Sequence, residues 1–161
     1  MKTVMKVRVK TSKQHGKGVF AAVAIEAGAD ILTFTGPLLQ RGQFHSGDYH
    51  LQIGDNLYLG ASGKADDYVN HSCEPNAGFG KGLTLVALRD LTRGEEITWD
   101  YGTAIDEADF GGFPCQCRAE SCRGVVVSYR NLSERDRERL VPYLLPYLRL
   151  QYKHVALQQA L

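Results

Sequence analysis

The stretch Tyr68 to Asn76, Y-V-N-H-S-C-E-P-N, packs an amide, an imidazole, a hydroxyl, a thiol and a Pro-Asn turn into nine residues. His71 beside Cys73 reads as a base with its nucleophile, or as a pair of metal ligands. With neither role, His71 is a positioning or core residue, the commoner case for a lone imidazole. The other cysteines bear on the choice. The chain has four, and three of them lie close together in F-P-C-Q-C-R-A-E-S-C-R-G as Cys115, Cys117 and Cys122. Cys115 and Cys117 are too close to bridge each other comfortably. Zinc favours four ligands in a tetrahedron, and thiolates suit it. Three local cysteines need one distant partner, and Cys73 is the one available. The economical reading is a closed four-thiolate zinc site, structural because no coordination position stays open for water. The alternative is four free buried thiols. If Cys73 is a ligand it is not a nucleophile, and His71 loses its obvious catalytic partner.

Working outward, 161 residues are enough for one domain with a real core. A net charge of +1 argues against a general nucleic-acid binder. No apolar run approaches the length of a membrane span. Met1 to Lys10 is basic but has no apolar core, so it does not read as a signal peptide. A reducing, intracellular compartment is the default expectation, and there cysteines read as metal or catalytic groups before disulfides.

Met5, Val7 and Val9 alternate with Lys6, Arg8 and Lys10, the period of a half-buried strand. A turn at His15-Gly16-Lys17-Gly18 leads into an apolar run, and further short strands are predicted at Ile31–Thr35, Tyr49–Ile53, Leu57–Leu59 and Leu83–Leu88. The segments from Ala21 (A-A-V-A-I-E-A-G-A-D-I) and from Ala87 (A-L-R-D-L-T-R-G-E-E-I) share one device. In each a Gly turn feeds a strand that opens on an acid and an isoleucine. They read as two similar β-turns rather than a duplication. Ser133 with Asp136 reads as a capping box opening a helix over Glu134–Val141. Pro142 and Pro146 interrupt the pattern, which resumes from Leu148 to Leu161. The fold class is mostly β with short helices, the latter at the C-terminus.

These motifs resemble the SET-domain protein-lysine N-methyltransferases with a cysteine-rich post-SET tail. Four signatures carry the resemblance in the family's order. They are H-G-K-G-V-F-A at His15, N-H-S-C-E-P-N at Asn70, G-E-E-I-T-W-D-Y at Gly94 and C-Q-C-R-A-E-S-C-R-G at Cys115. D-Y-H-L at Asp48 is a weaker match to the family's insert region. The resemblance implies a β-clip with a pseudoknot over residues 1–113, a zinc-bound post-SET segment over 114–130 and a helical extension over 131–161. It implies S-adenosylmethionine as cosubstrate, held by Gly16, Lys17, Gly18, Tyr49, Asn70, His71 and Gln116. Gly16 and Gly18 would let the backbone approach it closely, although alone they read as a hairpin turn. Tyr49 would sit beside its methyl group; on position alone it reads equally well as a strand aromatic in the core. Gln116 would touch the adenine from the tail, making the zinc segment a lid on the cofactor.

The implied reaction is in-line methyl transfer to the ε-amine of a protein or peptide lysine, with Tyr101 as the catalytic tyrosine and Trp99 in the substrate channel. Without the motif, Tyr101 reads as a packed strand tyrosine. There are departures. Trp99 stands where the family usually has Phe or Tyr. Lys64 to Asp67 replaces the Asn and Arg commonly found before the Asn-His pair, and no cysteines are left for a pre-SET cluster. A catalytically weak SET-like binding module is the alternative, and the presence of Tyr49, Asn70, Tyr101 and both glycines argues against it. Self-association through the C-terminal helix, Leu140 to Leu157, can accompany either reading. No direct nucleic-acid or membrane partner is expected. The implied location is cytoplasmic in a microbe, and nuclear or chromatin-associated in a eukaryote or after delivery to a host.

Overall fold

The computed structural model describes residues 5–45 and 47–159, with side chains through Tyr152. In chain order the strands are β1 (Val7–Thr11), β2 (Lys17–Ala21), β3 (Asp30–Thr33), β4 (Leu38–Leu39), β5 (His50–Gly54), β6 (Leu57–Gly60), β7 (Asn70–His71) and β8 (Ala77–Phe79). After them come β9 (Thr84–Ala87), β10 (Glu96–Trp99), β11 (Phe113–Pro114) and β12 (Val125–Val126), then helices α1 (Glu134–Leu140) and α2 (Pro146–Gln159). The strands predicted from alternation are all present, with ends shifted slightly. The first differs in burial. β1 is an edge strand, and Val9 remains 37% exposed because only one neighbour, β2, covers it.

The sheet that positions the site has the order β1-β2-β10-β7. β10 runs antiparallel to β2, with Ile97 opposite Val19, and parallel to β7, with Thr98 opposite Asn70 and Trp99 opposite His71. A parallel pair needs a long crossover, and β8, β9 and their turns supply it. The pairing brings Asn70-His71 beside Trp99-Asp100-Tyr101. Ile97, Thr98 and Trp99 are all buried, so this short strand is held from both faces.

The repeated device has a structural counterpart. The two copies pair with each other about a local two-fold axis. Ala21 N–H donates to Glu95 O (2.9 Å) and Ala87 N–H to Ala29 O (3.1 Å); Gly28 N–H donates to Ala87 O and Gly94 N–H to Ala21 O, both at 2.8 Å. Ile25 and Leu91 lie on the axis and exchange both of their backbone bonds. Gly28 and Gly94 have φ of 80° and 92°, the left-handed turn that a side chain would strain. Two similar turns are what the sequence predicts; their mutual pairing is the finding.

Val19, Phe34, Phe79, Leu85, Ile97 and Trp99 belong to the main core, and Tyr129, Leu132, Leu140, Leu144 and Leu148 form a second cluster under the C-terminal helices. Ser133 caps α1 as expected, its Oγ accepting from Asp136 N–H at 3.1 Å. Pro146 does not interrupt a helix. It opens α2, where a missing N–H leaves no bond unmade. The chain then folds back on the domain. Leu145 N–H donates to Thr103 O at 3.0 Å, and the Tyr147 hydroxyl donates to Ala104 O. The predicted end of this helix, Ala160 and Leu161, lies outside the described residues.

Candidate active site

β7 ends at His71, and the turn that follows buries Cys73 to 1% exposure. β11 and β12 pair as a small ribbon, and the loop between them carries Cys115, Cys117 and Cys122. The four sulfurs lie within 4.8 Å of one another, and Cys73 Sγ is 3.7 Å from Cys115 Sγ. Metal–sulfur bonds of about 2.3 Å in a tetrahedron put neighbouring sulfurs about 3.8 Å apart. The cluster is therefore the right size to hold one metal ion. Backbone N–H groups of Cys73, Cys117, Arg123 and Gly124 point at the sulfurs at 3.4–3.5 Å. Such donors favour thiolates. Burial alone pushes the Cys117 thiol up, but the N–H groups of Cys73 and Ala119, with hydrogen bonds from the Cys115 and Cys122 side chains, overcome it and bring it to about 7.

His71 is not a base in this arrangement. Burial lowers its pKa to about 4, so the ring is neutral. Nδ1 accepts from Tyr101 N–H at 3.1 Å, which leaves the ring proton on Nε2, 3.4 Å from Cys73 Sγ. Both nitrogens are engaged.

Two cavities meet here, with His15, Asn70 and Tyr101 lining both. The smaller, about 350 Å³, lies under the cysteine-rich tail against Gln14, His71, Phe113 and the exposed Gln116. The larger, about 450 Å³, is lined by Gly16, Lys17, Tyr49, Trp99, Ile105 and Glu107, among others. Tyr49 and Tyr101 donate to carbonyls of one segment, Tyr49 to Asp66 O at 3.4 Å and Tyr101 to Val69 O at 2.9 Å. Burial raises both hydroxyl pKa values, so both stay protonated. Tyr49 precedes β5 and is half-buried, a cavity-wall position rather than a core strand position. Trp99 is 4% exposed and is wedged among Phe34, Phe79 and Tyr101 with ring centroids 4.8–5.8 Å away. Gly16 has open space where a Cβ would stand. Gly18 lines neither cavity, and a Cβ there would lie 2.2 Å from Glu96 Oε1, so the close approach of this side chain requires a glycine.

The SET-domain family model matches residues 16–102 of this sequence, more than half of the chain. The chain belongs to the SET-domain family. Human histone-lysine N-methyltransferase 2B is 34% identical to it over 73% of this chain and 5% of that protein. Trithorax of Drosophila virilis, also a histone-lysine N-methyltransferase, is 33% identical over 73% of this chain and 4% of its own length. The chain thus spans about a twentieth of the length of these two relatives. Among solved structures, KRYPTONITE in complex with methylated DNA and SAH superposes with a TM-score of 0.62 at 24% identity, covering 75% of this chain and 29% of that one. The methyltransferase domain of human SETMAR gives 0.61 at 21% identity, covering 76% and 58%. These likenesses carry the SET fold.

The SET match ends before the cysteine tail, so what fastens the tail to the SET core matters. Asp100, 1% exposed, receives both arms of the Arg123 guanidinium at 2.8 and 3.0 Å and also accepts from Gly102 N–H at 3.0 Å. A buried charge is strongly unfavourable unpaired, so this fork joins the SET core to the residue after Cys122. Arg139 adds a bond to Cys73 O at 3.1 Å. Sequence reasoning missed Asp100, Arg123 and Glu96. The signal available was an acid inside an otherwise buried strand end, W-D-Y, and an arginine directly after Cys122.

Proposed function

We propose that this protein is a lysine methyltransferase acting on proteins or peptides, with S-adenosylmethionine as cosubstrate. The observation that carries the reading is the pair of cavities sharing His15, Asn70 and Tyr101 as a common wall. Two ligands can enter separately and meet at one tyrosine, as transfer between two bound molecules requires. When bound, S-adenosylmethionine supplies the methyl group on a sulfonium. Gln116, His71 and Asn70 suit its two ends, and Gly16 and Lys17 the loop beside it. The neutral, closely packed Trp99 and Tyr49 give the lysine channel a dry wall, which lowers the pKa of an entering ammonium and favours the free amine. The Tyr101 hydroxyl, fixed by Val69 O and protonated, orients the amine without accepting its proton. The enzyme works mainly by alignment.

The four cysteines hold one structural zinc, because thiolate donors of this number and spacing suit it and leave no position for water. Residues 1–113 then form the SET domain, 114–130 the zinc-bound lid and 131–161 the helical extension. The names of the relatives make histones the first substrates to try, and a nuclear setting follows in a eukaryotic cell. Self-association has less support, since Leu140, Leu144, Leu145 and Leu148 are buried within the chain. The test is incubation with methyl-labelled S-adenosylmethionine and histones or cell proteins, followed by mass spectrometry. Label on lysine supports the reading. Intact cofactor binding with no labelled lysine in any extract would favour the binding-module alternative.

A further inference from the structure

The net charge of +1 conceals a segregation of sign. The first 25 residues hold six of the 19 lysines and arginines and none of the 18 aspartates and glutamates, so the rest of the chain is net negative. β1 and the turn after it present these cations. Lys6, Arg8 and Lys10 alternate with Val7 and Val9, are exposed, and share one face of the sheet at intervals of about 6.8 Å. The partners on β2 fix that face. Arg8 lies opposite Phe20 and Lys10 opposite Gly18, while Val9 lies opposite the fully buried Val19 on the core side. Lys13 stands exposed in the turn that follows. Lys6 Nζ donates to Asp30 O at 2.6 Å, and Lys10 Nζ stands 5.7 Å from the centre of the Phe20 ring. Among the described residues, Arg8, Lys10 and Lys13 enter no ion pair, whereas Arg41, Arg89, Arg123, Arg130 and Arg139 all do. Glu96, opposite Phe20, is on the same face, but its oxygens are taken by Ser12 Oγ at 2.9 Å and Asn70 Nδ2 at 2.8 Å.

We infer that this hairpin face is a docking surface for duplex nucleic acid, held through its phosphates. The inference stands apart from the methyltransferase reading. A row of unpaired cations gains most from a partner of dense, regular negative charge, where each contact releases a counterion. An acidic protein surface fits less well. The centres of protein interfaces are poor in lysine and rich in aromatic contact, and the aromatic residue of this hairpin, Phe20, is half-buried beside the Lys10 amine. Single strands call for several open aromatic faces on which bases stack, and β1 and β2 supply only Phe20. Phosphate contacts carry no sequence information, so binding does not depend on base sequence. The turn between the two strands also supplies Gln14 and His15 to the smaller cavity, so a duplex held here runs beside the candidate active site.

The test is fluorescence anisotropy of the whole protein with a labelled DNA duplex of mixed sequence, with duplex RNA and polyglutamate run in parallel over a range of salt. Wild-type protein is expected to bind a duplex with micromolar affinity at low salt, and log K should fall against log salt with a slope of about −3 to −4, as three or four phosphate contacts require. The double variant Arg8→Ala, Lys10→Ala is expected to flatten that slope by about two and to weaken binding about 10-fold or more at low salt. Lys13→Ala, in the turn, should flatten it by about one, and it serves as the readout if the strand variant does not fold. Arg135→Ala removes an exposed cation of α1, outside this face, and should leave slope and affinity unchanged. A preference for DNA or for duplex RNA names the source of the phosphates, and either supports the inference. No binding to a duplex at low salt overturns it, as does a slope left unchanged by the β1 and turn variants. Equal weakening by Arg135→Ala would mean that overall charge, not this face, is what binds. Tighter binding to polyglutamate than to either duplex would replace nucleic acid with an acidic protein partner.

Discussion

Tyr101 is fixed at both ends, its N–H on His71 Nδ1 and its hydroxyl on Val69 O, while the ring packs against His71 and Trp99. Phenylalanine keeps the ring and loses only the hydroxyl. Tyr101→Phe is therefore expected to keep the fold and the affinity for S-adenosylmethionine and to lower turnover about 100-fold, the scale of a lost alignment. Calorimetry and steady-state kinetics read the two separately, and normal turnover beside normal binding would remove Tyr101 from catalysis. The pH profile has a definite sign. Burial raises the Tyr101 pKa, so the hydroxyl does not ionise in the working range. The substrate amine, ordinarily near about 10.4, gains its lone pair as pH rises. Activity should climb into the alkaline range, and a falling limb near about pH 9 that vanishes in Tyr101→Phe would mean that the tyrosine ionises. Trp99 bears on the product. Its indole is held among Phe34, Phe79 and Tyr101 and cannot leave as a water can. The unmutated enzyme should stop at mono- or dimethyllysine. Trp99→Phe should shift peptide mass spectra toward higher methylation, at a stability loss of about 1–2 kcal/mol from the space opened. Mostly trimethyllysine from the wild type would show that bulk does not limit the product.

At the scale of elements, the cysteine loop has two fastenings, the sulfur cluster and the Asp100–Arg123 fork, and on the proposed reading it works as a lid. Elemental analysis should find about one zinc per chain. Cys122→Ser should loosen the tail and raise the Michaelis constant for S-adenosylmethionine more than it lowers turnover, because the wall it disturbs lies at the Gln116 end of the smaller cavity. Full activity in metal-free protein would refute a zinc-held lid. Arg123→Ala tests the second fastening. It leaves Asp100 buried and unpaired, and should lower stability by about 3–5 kcal/mol even with zinc bound. These elements also mark what could be read in advance. The strands around Val19, Ile31 and Leu57 were legible because alternation and Gly turns are local signals, and the four-cysteine set because its count closes. β7 and β8 were not, since N-H and A-G-F have no alternation of their own and become strands only by pairing with β10 and β9. The same holds for Glu96 and Arg123. Each acts on a partner far along the chain, and no periodicity announces a single long-range hydrogen bond.

Across the whole molecule, the C-terminal third braces the segment that carries Tyr101. Residues 101–107 supply Tyr101, Ile105 and Glu107 to the cavities. The tail holds this segment through Leu145 N–H on Thr103 O, and through Asp106. That buried carboxylate accepts from Arg130 Nε at 3.1 Å, Gln151 Nε2 at 2.9 Å and the Tyr152 hydroxyl at 2.7 Å. Leu148, with no exposed surface, fills the cluster beneath, whereas Leu150 on the same helix is 67% exposed. The two leucines separate two roles for the helix. If it braces its own domain, Leu148→Ala should lower stability by about 2–5 kcal/mol. It should also lower turnover at temperatures where the protein is still folded, because the Tyr101 segment loses its support. Leu150→Ala should stay within about 0.5 kcal/mol of wild type and keep full activity. Thermal melts and single-turnover rates of the two variants decide the matter. A larger effect at Leu150 than at Leu148, together with a change in molecular mass by light scattering, would mean that the helix works on a second copy of the chain. In that case the exposed face, rather than the buried one, would carry the function of the tail.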